Sequence, residues 1–187
     1  MIDLSKDLPD TITVDGKSYL VNTDFRVWLS FSVAIDNDEL TVNDIAKLFV
    51  NDLANIFITS QESFIKAIMQ FLSNPNNIPR CSGNDERIID YLEDSEFIYA
   101  SFMEAYGIDL CTVNMHWHQF KALFIGLPDN SKYKQILAMR CADLKDKRKP
   151  EEIARENKRA WALPLSKKEK EEEEKKERRI AELLGEI

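Results

Sequence analysis

The sequence predicts a mostly α-helical protein of the α+β class: a small N-terminal β-hairpin packed on a bundle of about six helices, followed by an exposed, charged C-terminal helix. Three observations carry this. An Asp-Gly pair sits inside one short stretch of alternating apolar and polar residues, apolar residues recur at helical spacing through most of the remainder, and the last forty residues are dominated by Lys and Glu. At 187 residues with 44% hydrophobic content, the chain is long enough to bury one core and to carry an appendage. The reading divides it into a body, 1–144, and a charged helical tail, 145–187.

The hairpin is TITVDGKSYLV, residues 11–21. Ile12, Val14, Tyr19 and Val21 take strand positions on either side of Asp15-Gly16, a pair that supplies the two positive φ angles of a type I′ turn. A lone hairpin is only marginally stable in water, so this one must lie against helices. Thr23-Asp24 opens a helix with Val27, Trp28, Phe31 and Ile35 at helical spacing, and Asp36-Asn37-Asp38 closes it. Thr41 or Asn43 opens another, expected to run through Leu48 and Leu53. A third runs from about Gln61 to Leu72, with Phe64, Ile68, Phe71 and Leu72 on one side. The segment SNPNNIPRCSGND, rich in proline, glycine and asparagine, reads as a loop.

From about Asp85, the positions Ile88, Tyr91, Leu92, Ser95, Tyr99, Phe102, Met103 and Tyr106 trace a face of one long helix, which Gly107 stops. Thr112 or Asn114 is expected to start the next, with Trp117, Phe120, Leu123, Phe124 and Leu127 on its apolar side. Gly126 suits a left-handed C-terminal position, and Pro128 cannot continue the helix. Asp129 or Asn130 then caps a helix through Ile136 to Arg140.

Beyond Leu144, Lys-Asp-Lys-Arg-Lys reads as a solvated hinge and Pro150 fits a first helical turn. Ser166 and Glu169 match a capping box ahead of KKEKEEEEKKERRIAELLGEI. No apolar residue occurs between Lys167 and Arg179, so a helix there rests on pairs such as Glu171–Lys175, Glu172–Lys176 and Glu174–Arg178, each contributing only about 0.2–0.5 kcal/mol. It should be exposed and partly frayed. Ile180, Leu183, Leu184 and Ile187, at i, i+3, i+4 and i+7, give it an apolar end suited to a partner groove.

Composition narrows the function. Residues 1–144 carry 11 Lys and Arg against 21 Asp and Glu, a balance of −10, while residues 145–187 carry 14 against 12, a balance of +2. Such a body should repel nucleic acid, and its tail could attract the bodies of sister copies. There is no apolar run of about 18 residues and no basic flank with an apolar stretch at the N-terminus, so neither a membrane span nor a signal peptide is expected. Cys81, Cys111 and Cys141, odd in number and irregular in spacing, suit buried reduced thiols in a cytosol.

Phe97 to Pro128 concentrates aromatic residues and both histidines of the chain. His116 and His118 with Cys111 could suggest zinc, but residues two apart on a helix point about 200° away from each other, so no metal site is expected. No nucleophile elbow and no glycine-rich phosphate loop occur among the five glycines, so no catalytic residues and no cofactor are expected either. The aromatic stretch therefore reads as core, with part of the stripe, Trp117, Phe120 and Phe124, as a candidate partner-binding face.

The combination EFIYASFMEAYGIDL and HWHQFKALFIGLPDNSKYKQILAMR resembles a bacteriophage family often called the gene product fifteen family, from siphophages and prophages of Gram-positive bacteria. The likeness is most specific over Ile88 to Arg140 and departs at His118, where the family usually has a second aromatic. It implies a tail assembly chaperone without catalytic residues, acting in the host bacterial cytoplasm on the tape measure protein before the tail tube polymerises. A sister chaperone or self-association is a further expected partner. The competing readings are a structural component of the tail, which would be expected to be richer in β-sheet, and a host-interaction protein of a prophage.

Overall fold

The computed structural model describes residues 4–50, 60–73, 87–142 and 151–185. Among them the order is β1 (Thr11–Val14), β2 (Lys17–Leu20), α1 (Phe25–Asp36), α2 (Val42–Lys47), α3 (Gln61–Leu72), α4 (Ser95–Tyr106), α5 (Trp117–Ile125), α6 (Lys132–Arg140), α7 (Glu151–Ala160) and α8 (Lys167–Gly185). The mostly helical architecture with one small hairpin is the one the sequence predicts. Leu53, Cys81, most of the loop after Ser73, Lys145 to Pro150 and Ile187 lie outside the described residues.

The hairpin pairs Thr11 with Leu20 and Val14 with Lys17, leaving Asp15 (φ 49°) and Gly16 (φ 78°) as the two-residue turn. Ile12 and Val14 point inward and are buried, and α3 packs over them. Beyond the strands, Val21 bridges Phe49 in antiparallel fashion, with Asn22 N–H donating to the Leu48 carbonyl at 2.7 Å. That bridge ends α2 early. The Thr41–Asp44 capping box opens α2 as expected, but the helix stops at Lys47 because residues 48–50 are drawn alongside the hairpin.

A second bridge, Asp24 with His116, joins the starts of α1 and α5: Trp117 N–H donates to the Thr23 carbonyl at 2.7 Å and Phe25 N–H to the Met115 carbonyl at 3.1 Å. The core follows from this junction. Phe120 is its hub, stacked on Phe25 (4.8 Å between centroids), Phe102 (5.4 Å), Trp117 (5.9 Å) and Phe124 (5.7 Å). Trp28 is fully buried, with its ring 4.4 Å from that of Phe71 and its Nε1–H donating to the Asn22 carbonyl. Each large apolar side chain buried this way contributes roughly 1.5–3 kcal/mol, so these rings are the main source of cohesion in the body.

Several boundaries differ from the sequence reading. The long helix expected from Asp85 begins only at Ser95, because the Asp90 carboxylate accepts from Leu92 N–H and Glu93 N–H and holds residues 91–94 in a turn. Leu92 and Met103 consequently face solvent, and Ile98, Ser101 and Phe102 form the buried face. His116, not Thr112 or Asn114, caps α5, its Nδ1 accepting from His118 N–H at 3.0 Å. Ser131 caps α6 in place of Asp129 or Asn130. Gly107 is left-handed at φ 64° as expected, whereas Gly126 is not, at φ −77°. The small size of Gly126 matters for another reason: a Cβ there would lie 3.1 Å from the Ala122 carbonyl oxygen and 3.5 Å from the Tyr106 hydroxyl.

Part of the charged tail lies on the body. Trp161 meets Phe97 edge-on at 5.7 Å and carries the Lys132 ammonium over its ring at 4.6 Å. Arg140 Nε–H donates to the Trp161 carbonyl at 2.6 Å, and Arg87 donates to the Pro164 carbonyl at 2.8 Å. The predicted capping box then starts α8: Ser166 N–H donates to Glu169 Oε2 at 2.7 Å, and Glu169 N–H to Ser166 Oγ at 3.3 Å. Cys141 is disulfide-bonded, which corrects the expectation of a reduced thiol there, while Cys111 is a free thiol as expected but exposed, not buried.

Candidate functional site: an apolar recess over the aromatic core

Phe120 floors an apolar recess of about 270 Å³. One wall is α1, through Phe25 and Leu29. The opposite wall is the 91–94 turn and α4, through Tyr91, Ile98 and Tyr99, and Leu110 with Cys111 closes the end. Arg26 makes the loop a wall. Its Nη2 donates to the carbonyls of Leu110 (2.9 Å) and Val113 (2.8 Å), while Nη1 reaches the Asp24 carboxylate at 3.3 Å, so the cation at the rim is engaged internally. Burial, with the Asp36 charge adding to it, pushes the Tyr91 phenol up to about 12, so it stays neutral as a half-apolar wall.

Beside the recess lies a smaller cavity of about 120 Å³ lined by Trp117, Lys121, Phe124 and Tyr91. Lys121 is buried, and its ammonium donates to the carbonyls of Phe71 (3.2 Å), Leu72 (3.0 Å) and Ser73 (3.0 Å), the free acceptors at the C-terminal end of α3. Trp117 Nε1–H adds a bond to the Leu72 carbonyl at 3.2 Å. One side of α5 thereby caps α3. Burial pushes the Lys121 ammonium down to about 8.

The histidines are structural in the same sense. His116 accepts at Nδ1 and lies 3.0 Å through Nε2 from the Pro9 carbonyl, a pairing that fixes the Nε2–H tautomer of the neutral ring. His118 packs against Phe71 at 4.6 Å; burial, then the nearby Lys121 and His116, push it down to about 3. The two rings stack at 5.3 Å, so they do not point apart as helical spacing suggests, because His116 stands at the cap and not within the helix. Among the described residues no three His, Cys, Asp or Glu side chains gather where a metal ion could be held.

A third recess, about 240 Å³, lies between the body and residues 158–169 of the tail and is lined by Arg87, Arg140, Pro164 and Leu165 among others. Arg140 in its lining belongs to a buried ion pair beneath: Nη1 and Nη2 each donate to an oxygen of Asp94 at 2.7 Å, and Nη1 also donates to the Ile88 carbonyl at 2.9 Å. Asp94 stands at the N-cap position of α4 without capping it, since its carboxylate is turned to Arg140.

Of the residues the sequence singles out for partner binding, Trp117, Phe120 and Phe124 are 2%, 1% and 6% exposed. They are core, and no free stripe of these rings exists; Phe120 reaches the surface only as the floor of the recess. Ile180, Leu183 and Leu184 lie on the helical backbone of α8, with their side chains outside the described part, as is the whole of Ile187. The residues missed by sequence reasoning are Arg26, Leu29, Tyr91, Ile98 and Leu110. Lys121 carried a signal, a cation set among the apolar positions of α5, and Arg26, one residue after Phe25 at the start of α1, carried none.

The fold and recess define a small helical protein with a hairpin, an acidic body and an apolar concavity. No helix among the described residues is long and apolar enough to cross a membrane. The chain matches the family described as Bacteriophage Gp15 protein over residues 4–181 and belongs to it. Membership points to a bacteriophage structural or assembly protein. No curated protein and no solved structure matches the chain.

Proposed function

We propose that this chain is a tail assembly chaperone that holds the tape measure protein in the host bacterial cytoplasm before the tail tube polymerises. The observation that carries the reading is the apolar recess of about 270 Å³ above Phe120. Helix-in-groove recognition needs a concavity that accepts a few apolar side chains of an amphipathic helix. This recess is too small for a whole helix and large enough for its anchors. The formal net charge of −8 keeps a complex with a long apolar client from precipitating. Many copies along one client can each bind modestly, because avidity multiplies weak contacts.

The rival reading, a structural component of the tail, differs in one observable. A chaperone leaves before the particle is finished, so mass spectrometry of purified virions should find the tape measure protein and not this chain. Finding it there at a fixed copy number would replace the chaperone reading with the structural one.

A further inference from the structure

We propose that copies of this chain join head to tail, the apolar end of α8 of one copy occupying the recess of the next. The inference is independent of the client's identity, because recess and tip belong to the same chain; a client seated in the recess displaces the tip, so this association is that of the client-free protein.

The base of α8 is fixed. Arg140 holds the Trp161 carbonyl, Arg87 holds the Pro164 carbonyl, and Lys167 pairs with Glu39 at 3.3 Å. From there α8 runs without a break to Gly185, and its described side chains from Lys170 to Arg178 are all exposed. Residues 167–179 therefore form an arm of about 20 Å at 1.5 Å per residue. A continuous helix of that length, whose described side chains from Lys170 to Arg178 all face solvent, does not fold its end back onto its own recess. The end is where the sequence places Ile180, Leu183 and Leu184 at i, i+3 and i+4.

Charge selects the occupant. Lys175, Lys176, Arg178 and Arg179 stand directly before the apolar tip, whereas the body that holds the recess carries a balance of −10 over residues 1–144. Asp109 lies at the recess end beside Cys111, its carboxylate accepting from Cys111 N–H at 2.9 Å. Arg26, the one cation among the described residues lining the recess, is tied to Asp24 and two carbonyls. An apolar tip with a cationic collar fits an apolar recess in an acidic body. Because tip and recess are different surfaces, the contact is heterologous and generates open chains or rings, not a closed dimer.

The test uses the full chain with no client present, by sedimentation velocity across a concentration series at low ionic strength. The expected result is a mass that climbs above the 21.7 kDa monomer with concentration and falls back as salt is raised. The tip variant Leu183→Asp, Leu184→Asp and the recess variant Leu29→Arg should each stay monomeric. Mixed together, they should give a complex of two copies and nothing larger, since one supplies a recess and the other a tip. Leu110→Arg replaces Leu29→Arg if the latter fails to fold. Alkylation of Cys111, read on its own peptide by mass spectrometry, should slow with concentration in the wild type and not in the tip variant. A wild-type chain monomeric at every concentration, association that survives the tip variant, or a mixture that stays monomeric would each overturn the proposal. Tip-dependent protection of Cys111 that does not vary with concentration would overturn it too, by showing the tip in its own recess.

Discussion

Replacing Arg140 with Met keeps most of the aliphatic stem and removes the guanidinium. In the wild type that group makes two 2.7 Å bonds to Asp94 and further bonds to the carbonyls of Ile88 (2.9 Å) and Trp161 (2.6 Å). Asp94 is 1% exposed, and without Arg140 its remaining described partner is Asp90 N–H at 3.2 Å. Breaking one side of a buried pair leaves an uncompensated charge and costs about 3–5 kcal/mol. Against a total stability of roughly 5–15 kcal/mol, that is a large fraction. With a urea slope near 2 kcal/mol/M, the unfolding midpoint should fall by about 2 M. The double variant Asp94→Leu, Arg140→Met should recover a good part of the loss, because removing both charges leaves neither stranded. Arg140→Met should also speed protease cleavage around α7, since the Trp161 carbonyl loses its donor. A midpoint drop of less than about 0.5 M, or single-variant losses that simply add in the double, would show that the pair is not buried and coupled as described.

Trp117→Ala should lose about 3–5 kcal/mol of stability by thermal or urea melting, because it opens a cavity against Phe120 and removes the bond to the Leu72 carbonyl. Acid unfolding should respond to His118: its folded pKa, lowered to about 3, means that only the unfolded state binds the proton between pH 6.5 and 3, so stability falls as pH drops through that window. His118→Phe should flatten that limb, and an unchanged acid profile would count against a buried neutral ring. Gly107→Ala should cost about 1–2 kcal/mol, since φ is 64° in open space and only the backbone is strained. Truncation after Arg179 should leave the melting temperature of the body unchanged while weakening self-association in a pull-down.

Local chemistry was legible where the signal is short-range. Asp15-Gly16 fixed the hairpin register, the spacing of Phe64, Ile68 and Phe71 fixed α3, and Ser166 with Glu169 fixed the start of α8. Boundaries set by distant partners were not legible. The stop of α2 at Lys47 depends on Val21 finding Phe49, and the late start of α4 depends on Asp90 closing a turn while Asp94 turns to Arg140, 46 residues away. His116 could not be recognised as a cap because histidine is not among the usual capping side chains, and its acceptor nitrogen is free only once Nε2 has met the Pro9 carbonyl. The recess escaped for the same reason: its walls come from α1, the 91–94 turn, α4 and residues 110–111, and no periodicity links them. Sequence spacing found the aromatic stripe but not that Phe120 is its hub and the floor of the recess.

The most direct measurement of the central claim is co-expression of the tape measure protein with this chain, followed by the share of tape measure recovered in solution and bound. Wild type should keep it soluble and co-purify with it, and the half-buried recess variant Leu29→Arg, with circular dichroism and melting matching wild type, should lose both. If Leu29→Arg retains the tape measure as well as wild type does, or if wild type leaves it insoluble, then the recess above Phe120 does not hold that client.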